Sequence, residues 1–243
     1  MDDWSVVRDE INTILKQSTT GSNNRWSNAT LLYRANKVQA RVASGSFCLD
    51  NVRYVDLDAS IQEYAYGTYT LDVRFVLYHG KPLELMTLEK MNHYAKMGVM
   101  NPWRTGTADV PKFWYKRGAN IGIGPKTRRD DNGALAIYEW VYPADLTADT
   151  SDLFDGASYL NGFVDVVIFY VAEWCLDELG ESKSGERDKW GAKADRRYEE
   201  LKRFSDIRNG LVVEADPKKL RESGQAQHVL TGGQVAMAAG PRG

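Results

Sequence analysis

The chain has 243 residues, of which 43% are hydrophobic and 26% charged. This composition is typical of globular proteins and excludes global disorder and a collagen-like fibre. Its 31 Lys and Arg against 33 Asp and Glu give a formal net charge of −2. Because proteins that bind nucleic acid through its phosphates normally carry a basic surplus, any contact with DNA is expected to be weak or confined to a small patch.

Two amphipathic helices are predicted at the start of the chain, over residues 4–17 and 28–44. In each, apolar residues recur every three or four positions, which places them on one helical face. Ser27 is the expected N-cap of the second helix, and Gly45 is its expected stop. The acidic residues before the first helix do not resemble a signal peptide, so we expect folding in a reducing cytoplasm.

The hydrophobic period changes between residues 50 and 143, where short alternating segments replace the helical spacing. A short helix is expected at 88–97. The segment 130–133 contains an Asn-Gly pair, which tolerates the positive φ angles of a hairpin turn, so 135–142 is expected to return as the second strand. The other predicted strands are 71–78, 83–86, 112–116 and 121–123. This block is predicted to be a small antiparallel sheet or sandwich.

Two more helices are predicted after an acidic loop at 144–158. The helix at 159–179 is so apolar that it should be the central and most buried one. A membrane span is disfavoured because the apolar run is shorter than about 20 residues and contains acidic residues. Its Trp174 is expected to be buried, so that Trp174→Ala should cost about 3–5 kcal/mol. The last helix covers 186–208, with Ser184 as its possible N-cap.

The remaining segment, 210–243, has no aromatic residue and is rich in Gly, Ala and Gln. Alone, it cannot bury enough apolar surface to offset the entropy cost of ordering. Its removal is therefore expected to leave the folded core intact. It does contain two apolar clusters, at 211–213 and 229–230.

Together, these elements predict an α+β fold with three parts. A four-helix-bundle-like body is formed by 1–49 and 151–209, and a small antiparallel β domain is inserted at 50–150. The chain then ends in an extended, flexible tail at 210–243. The two cysteines cannot make a disulfide framework, and Cys175, in the apolar helix, is expected to be a buried thiol.

No catalytic, cofactor or metal site is predicted. The segment 118–127 is similar to a phosphate-binding loop, but Pro125 removes a backbone N–H that such a loop needs. We therefore expect a strand with small residues at a tight packing site.

The three histidines and two cysteines lack the spacing of a zinc site. Four carboxylates lie on or near predicted strands without forming an evident acid–base pair: Glu63, Asp72, Glu84 and Glu139.

The order of these elements, and short segments within them, resembles the head-to-tail adaptor (connector) family of tailed bacteriophages. Leu-Leu-Tyr-Arg-Ala-Asn-Lys-Val-Gln-Ala-Arg-Val at 31–42 is similar to the second helix of the family. Residues 110–115, followed by 121–125, are similar to its paired strands. Pro-Ala-Asp-Leu-Thr-Ala-Asp-Thr at 143–150 is similar to its loop before the third helix. The resemblance covers about residues 3–210.

The resemblance implies a structural protein without enzymatic activity or cofactor. Family members form a ring, usually of twelve copies, under the portal of the capsid, where they extend the DNA channel and provide the platform for tail attachment. The C-terminal segment is expected to dock on the portal, and its candidate docking residues are Leu211, Val212, Val213, Lys218, Lys219, Leu220, Val229 and Leu230. The implied partners are the portal protein, other copies of the chain, tail or nozzle proteins, and DNA that passes without specific binding, with no membrane. The implied location is the neck of the virion, after assembly in the bacterial cytoplasm.

Two other functions stay open at this stage. An adaptor-like virion protein could hydrolyse peptidoglycan through a carboxylate pair on the β block, which a zymogram would detect. A helical interaction protein of the host side, outside the virion, would be absent from purified virions.

Overall fold

The computed structural model describes residues 3–17, 24–97, 107–108 and 110–210. Within these residues the chain forms five α-helices and ten strands. The helices are α1 (Trp4–Ile14), α2 (Asn28–Ser46), α3 (Leu88–Lys96), α4 (Val164–Asp177) and α5 (Ser184–Arg208). The strands are β1 (Asp50–Leu57), β2 (Glu63–Ala65), β3 (Thr70–Tyr78), β4 (Lys81–Pro82), β5 (Glu84–Leu85), β6 (Thr107–Ala108), β7 (Phe113–Arg117), β8 (Asn120–Gly124), β9 (Lys126–Thr127) and β10 (Asp131–Val141). Short 3-10 segments lie at Leu153–Gly156, Ser158–Phe163 and Glu181–Lys183.

Helix α4 is the centre of the helical part, and α1, α2 and α5 pack on it. Its sequence is almost wholly apolar, so it buries several faces at once, and each fully buried aliphatic side chain stabilises the fold by about 1.5–3 kcal/mol. The side chains that form this core without exposed surface include Ile11, Leu31, Val167, Val171, Cys175 and Leu201. The predictions of a central buried helix and of a buried Cys175 thiol are confirmed.

By length and composition alone, Ser158–Asp177 could also cross a membrane, a property that the core helices of globular proteins share.

The larger sheet has the strand order β1-β10-β3-β4, and every neighbouring pair is antiparallel. The long strand β10 is central, with Tyr138 opposite Val52 of β1 and opposite Phe75 of β3. Residues on one face of β10, including Leu135 and Ile137, are fully buried. The alternation along β10 therefore gives this sheet one buried face and one face that is only half covered.

The second sheet has the order β2-β8-β7-β5, in which β5 runs parallel to β7 and the other pairs are antiparallel. Its Trp114, Ile121 and Ile123 share a hydrophobic cluster with residues of the larger sheet. The two sheets therefore pack face to face. Helix α3 covers a smaller cluster on the outside of the second sheet, through Met91.

The predicted fold class is wrong. The chain has a mixed α/β fold, with five helices and two sheets of four strands each within the described residues, rather than a four-helix-bundle-like body with a small inserted β domain. The main reason is β1, because Asp50, Arg53 and Asp56 interrupt its apolar pattern and concealed an eight-residue strand. This strand extends the larger sheet on the outer side of β10.

The predicted hairpin at 130–133 is also wrong. Gly133 does adopt a positive φ of 62°, but β10 already begins at Asp131 and pairs with β1 and β3 instead of returning along β8. Turn chemistry fixes a local bend and does not choose the partner of the strand that follows.

In contrast, the prediction of small residues at a tight packing site within 118–127 is confirmed, since a Cβ added to Gly122 would lie 1.9 Å from the ring of Tyr115.

The helix ends follow the predictions in part. Ser27 is the N-cap of α2, as predicted, and its side chain accepts a hydrogen bond from the Thr30 amide at 3.2 Å. Gly45 does not stop α2, which continues to Ser46. A Cβ at Gly45 would lie 2.1 Å from the hydroxyl oxygen of Tyr198, so this glycine permits close packing of α2 against α5. Ser184 is the first residue of α5 and not its N-cap.

Candidate interaction site

An open groove of about 750 Å³ lies between α2, α4 and the start of α5. Helix α2 lines it with residues four apart, Tyr33, Lys37 and Arg41, which therefore share one face. Helix α4 lines it with Tyr170 and Trp174, which are also four apart. We call this surface the helical groove.

Aromatic side chains of the helical groove are exposed to solvent. Tyr33 is 57% exposed and Trp174 is 38% exposed. The prediction that Trp174 is buried is therefore wrong. The error arose because α4 is apolar on nearly every side, so its sequence does not reveal which face is left uncovered.

Cations cover the aromatic rings of the helical groove. The ammonium of Lys37 lies 5.5 Å from the ring centroid of Tyr33, and the guanidinium of Arg41 lies 5.1 Å from that of Tyr170. The guanidinium of Arg34 lies 5.2 Å from the ring centroid of Trp174. Each such contact at an exposed site is worth about 0.5–1 kcal/mol, so the rings are held in defined positions before any partner binds.

Arg34, whose guanidinium lies over the ring of Trp174, does not itself line the helical groove and is only 5% exposed. One of its nitrogens donates to the Cys175 sulfur at 3.0 Å, and another donates to the carboxylate of Glu178. Trp26 also donates to Glu178, at 3.2 Å, and the hydrogen bonds from Arg34 and Trp26 lower the pKa of Glu178. Burial raises the pKa of Cys175 to about 11, so its thiol is neutral beside the cation.

Charge in the helical groove is nearly balanced. Arg187 closes one end by bonding to Asp177 at 3.1 Å and to Asp188 at 2.8 Å. Glu173 is partly buried beside Gly191, and this burial, together with the nearby charge of Asp195, raises its pKa. The lining therefore offers aromatic surface and paired charges, which suits a protein partner better than a strongly charged ligand.

The predicted docking residues cannot be compared with this site. Leu211, Val212, Val213, Lys218, Lys219, Leu220, Val229 and Leu230 all lie outside the described residues. The structure locates only the point where their segment begins, at Gly210 after the end of α5.

The four strand carboxylates considered for catalysis do not meet in a pair, because each has its own donor. Glu63 accepts from Arg117 at 2.9 Å, Glu84 from Lys90 at 2.8 Å, and Asp72 from Lys116. The buried Glu139 accepts from the Thr70 hydroxyl at 2.8 Å. Within the described ranges, no three His, Cys, Asp or Glu side chains are grouped so that they could hold a metal ion.

Sequence reasoning missed the helical groove although part of its signal was present. Arg34 lies three residues after Leu31 and four before Val38, on the apolar face of α2, where a charged side chain needs a buried partner. The chain is a mixed α/β protein with an exposed aromatic groove between helices. No protein-family model matches the chain, and no curated protein matches its sequence.

Proposed function

We propose that the chain is a structural adaptor that joins the portal of a tailed bacteriophage to its tail. It assembles as a ring of about twelve copies in the neck of the virion, extends the DNA channel and carries tail or nozzle proteins. The proposal combines the sequence resemblance at 31–42, 110–125 and 143–150 with the helical groove. It includes no catalytic step.

The observation that carries the proposal is the exposed aromatic surface of the helical groove. A closed ring needs one surface patch that binds a different patch on the neighbouring copy. Trp, Tyr and Arg side chains dominate the binding energy of protein interfaces when partners exclude water from them. Trp174, Tyr33 and the cations stacked on their rings supply these residue types on one side of the molecule.

The charge of the chain suits a position around passing DNA. A formal charge of −2 gives no net electrostatic attraction to phosphates. DNA could then move through a channel formed by many copies without being held. Because each contact is repeated around the ring, individually weak contacts with the portal would add up to strong attachment.

The experiment that tests the proposal is negative-stain electron microscopy of the purified chain mixed with the portal protein encoded in the same genome. We expect a second ring beneath the portal, and we expect the chain in purified virions by mass spectrometry. Portal particles without added density would reject the adaptor function. Absence of the chain from virions would favour the host-side interaction protein instead.

A further inference from the structure

Glu173 is a carboxylate of the helical groove that has no partner among the described residues. No described group donates a hydrogen bond to it, and none forms an ion pair with it. The other carboxylates of the groove, Asp177 and Asp188, both accept from Arg187. The two cations of α2 lie over aromatic rings. The groove can therefore accept one further cation beside Glu173.

Trp174, the next residue along α4, gives the same position an apolar wall. Its ring is 38% exposed even though the guanidinium of Arg34 lies 5.2 Å from its centroid. The strongest contacts of protein interfaces often combine a large ring with a charged group that is shielded from water after binding. A surface that fits this position must bring a cation and an aliphatic side chain together.

The last turns of α5 carry such a pair of side chains. Arg203 and Ile207 are four residues apart, so they share one face of the helix. Arg203 is exposed and has no described partner. Ile207 is 75% exposed, more than any other large hydrophobic residue that the structure describes. Leu201 and Ser205 are buried and belong to the other face of α5. We call Arg203 and Ile207 the α5 end patch.

A single chain cannot place the α5 end patch in its own helical groove. Arg187, which lines the groove, and Arg203 belong to one continuous helix, Ser184–Arg208. At 1.5 Å per residue, they are about 24 Å apart along its axis. The groove and the patch that matches it are therefore separate surfaces, and they can meet only between two copies of the chain.

We propose that the helical groove of one copy binds the α5 end patch of a second copy. Arg203 of the second copy pairs with Glu173, and its Ile207 packs on Trp174. A helix that lies in a groove with anchors four residues apart is a common mode of protein recognition. Each copy can then bind one neighbour through its groove and another through its patch. The inference rests on the proposed function in one respect, that the groove is an interface between copies.

Charge reversal in the full chain tests the inference by sedimentation velocity, with and without the portal protein from the same genome. Glu173→Arg and Arg203→Glu each place like charges opposite one another, so each variant alone should self-associate at least about tenfold more weakly than the wild type. An equimolar mixture of the two variants should recover assembly, because every groove can then meet a patch of opposite charge. The control is Arg129→Glu, at an exposed arginine between β9 and β10 without a described partner, and it should assemble like the wild type.

The mixture separates a lost contact from a lost fold, since one misfolded variant cannot rescue another. Normal assembly of either variant alone, no recovery in the mixture, or no self-association of the wild type under either condition would overturn the inference. A ring on the portal that survives both single reversals would reject the inference and leave the adaptor function standing. Charge-dependent self-association of a chain that does not attach to the portal would support the inference and reject the adaptor function.

Discussion

The helical groove and the face of the larger sheet that carries Tyr54, Phe75, Tyr138 and Trp140 are both aromatic surfaces, but their polar surroundings differ. In the groove, cations stack on the rings of Tyr33, Tyr170 and Trp174, and Arg187 is paired with two carboxylates. On the sheet face, Arg74 is the one cation that the described residues place on the rings of Phe75 and Trp140, and the Trp140 indole N–H lacks an acceptor there. An aromatic surface with satisfied polar groups can remain in water until a partner arrives, whereas one with an unsatisfied indole N–H is costlier to leave as it is.

The largest expected effect is at Arg34, which contacts the Trp174 ring of the helical groove. Arg34→Ala removes a buried side chain with its packing and its hydrogen bonds to Glu178 and Cys175, and it should lower the free energy of unfolding by about 3 kcal/mol. Urea denaturation measures this change. Arg196→Ala, at a side chain that is 79% exposed, is the control and should stay within about 0.5 kcal/mol of the wild type. A loss below about 1 kcal/mol for Arg34→Ala would show that the groove does not depend on this network.

Trp174 of the helical groove and Trp140 of the larger sheet give the next test of this comparison. Trp174→Ala should cost about 1 kcal/mol, because the ring is 38% exposed and mainly loses its contact with Arg34. This replaces the larger cost expected from the sequence. Trp140→Ala should cost about 3 kcal/mol, because its ring packs beside Phe47 and Arg74 and its indole N–H is inaccessible to water. Thermal unfolding of the two variants would contradict the account if Trp174→Ala were the more destabilising change.

Glu173 predicts a pH dependence that is specific to the helical groove. Its pKa is raised by burial, so the folded state favours the protonated acid. The corresponding stability is fully present below the unfolded pKa of about 4.3 and is lost as the pH rises through the higher folded value. Glu173→Gln should therefore raise the melting temperature at pH 7, and this gain should shrink at pH 4. Glu178→Gln is the control with the opposite sign, because the pKa of Glu178 is lowered and its stabilisation is present above about pH 4.3.

The smallest expected effect concerns the exposed rim. Tyr33→Ala and Tyr69→Ala remove tyrosines that are 57% and 53% exposed, and both should change the free energy of unfolding by less than about 0.5 kcal/mol. Chemical denaturation of the two variants side by side is the check. A loss above about 1.5 kcal/mol for Tyr33→Ala would mean that Tyr33 supports the fold of a single chain rather than an interface.

Much of the secondary structure could be predicted from the sequence because helical and strand periods are local. The spacing of apolar residues located α1, α2, α4 and α5, and the Ser27 cap was found from residue type alone. The fold class could not be predicted, because it depends on which strands pair across the chain. Strand β10 joins β1, about 80 residues away, and nothing in the local pattern of either strand specifies that register.

The candidate site was less predictable than the fold. The sequence drew attention to Leu211 and the residues after it, because an apolar cluster in a Gly-rich segment is conspicuous. The helical groove needs α2, α4 and α5 to be brought together, and an apolar helix does not show that Trp174 will be its exposed residue. Arg34 is the exception, since a charge on the apolar face of a helix indicates a buried network.

The most direct test of the central claim compares assembly of Tyr33→Glu and Tyr69→Glu in the presence of the portal protein from the same genome. Both substitutions place a carboxylate at an exposed tyrosine, but only Tyr33 lines the helical groove. Sedimentation velocity should show a complete ring on the portal for the wild type and for Tyr69→Glu, and no ring for Tyr33→Glu. A ring of normal size with Tyr33→Glu would contradict the assignment of the helical groove as the assembly interface.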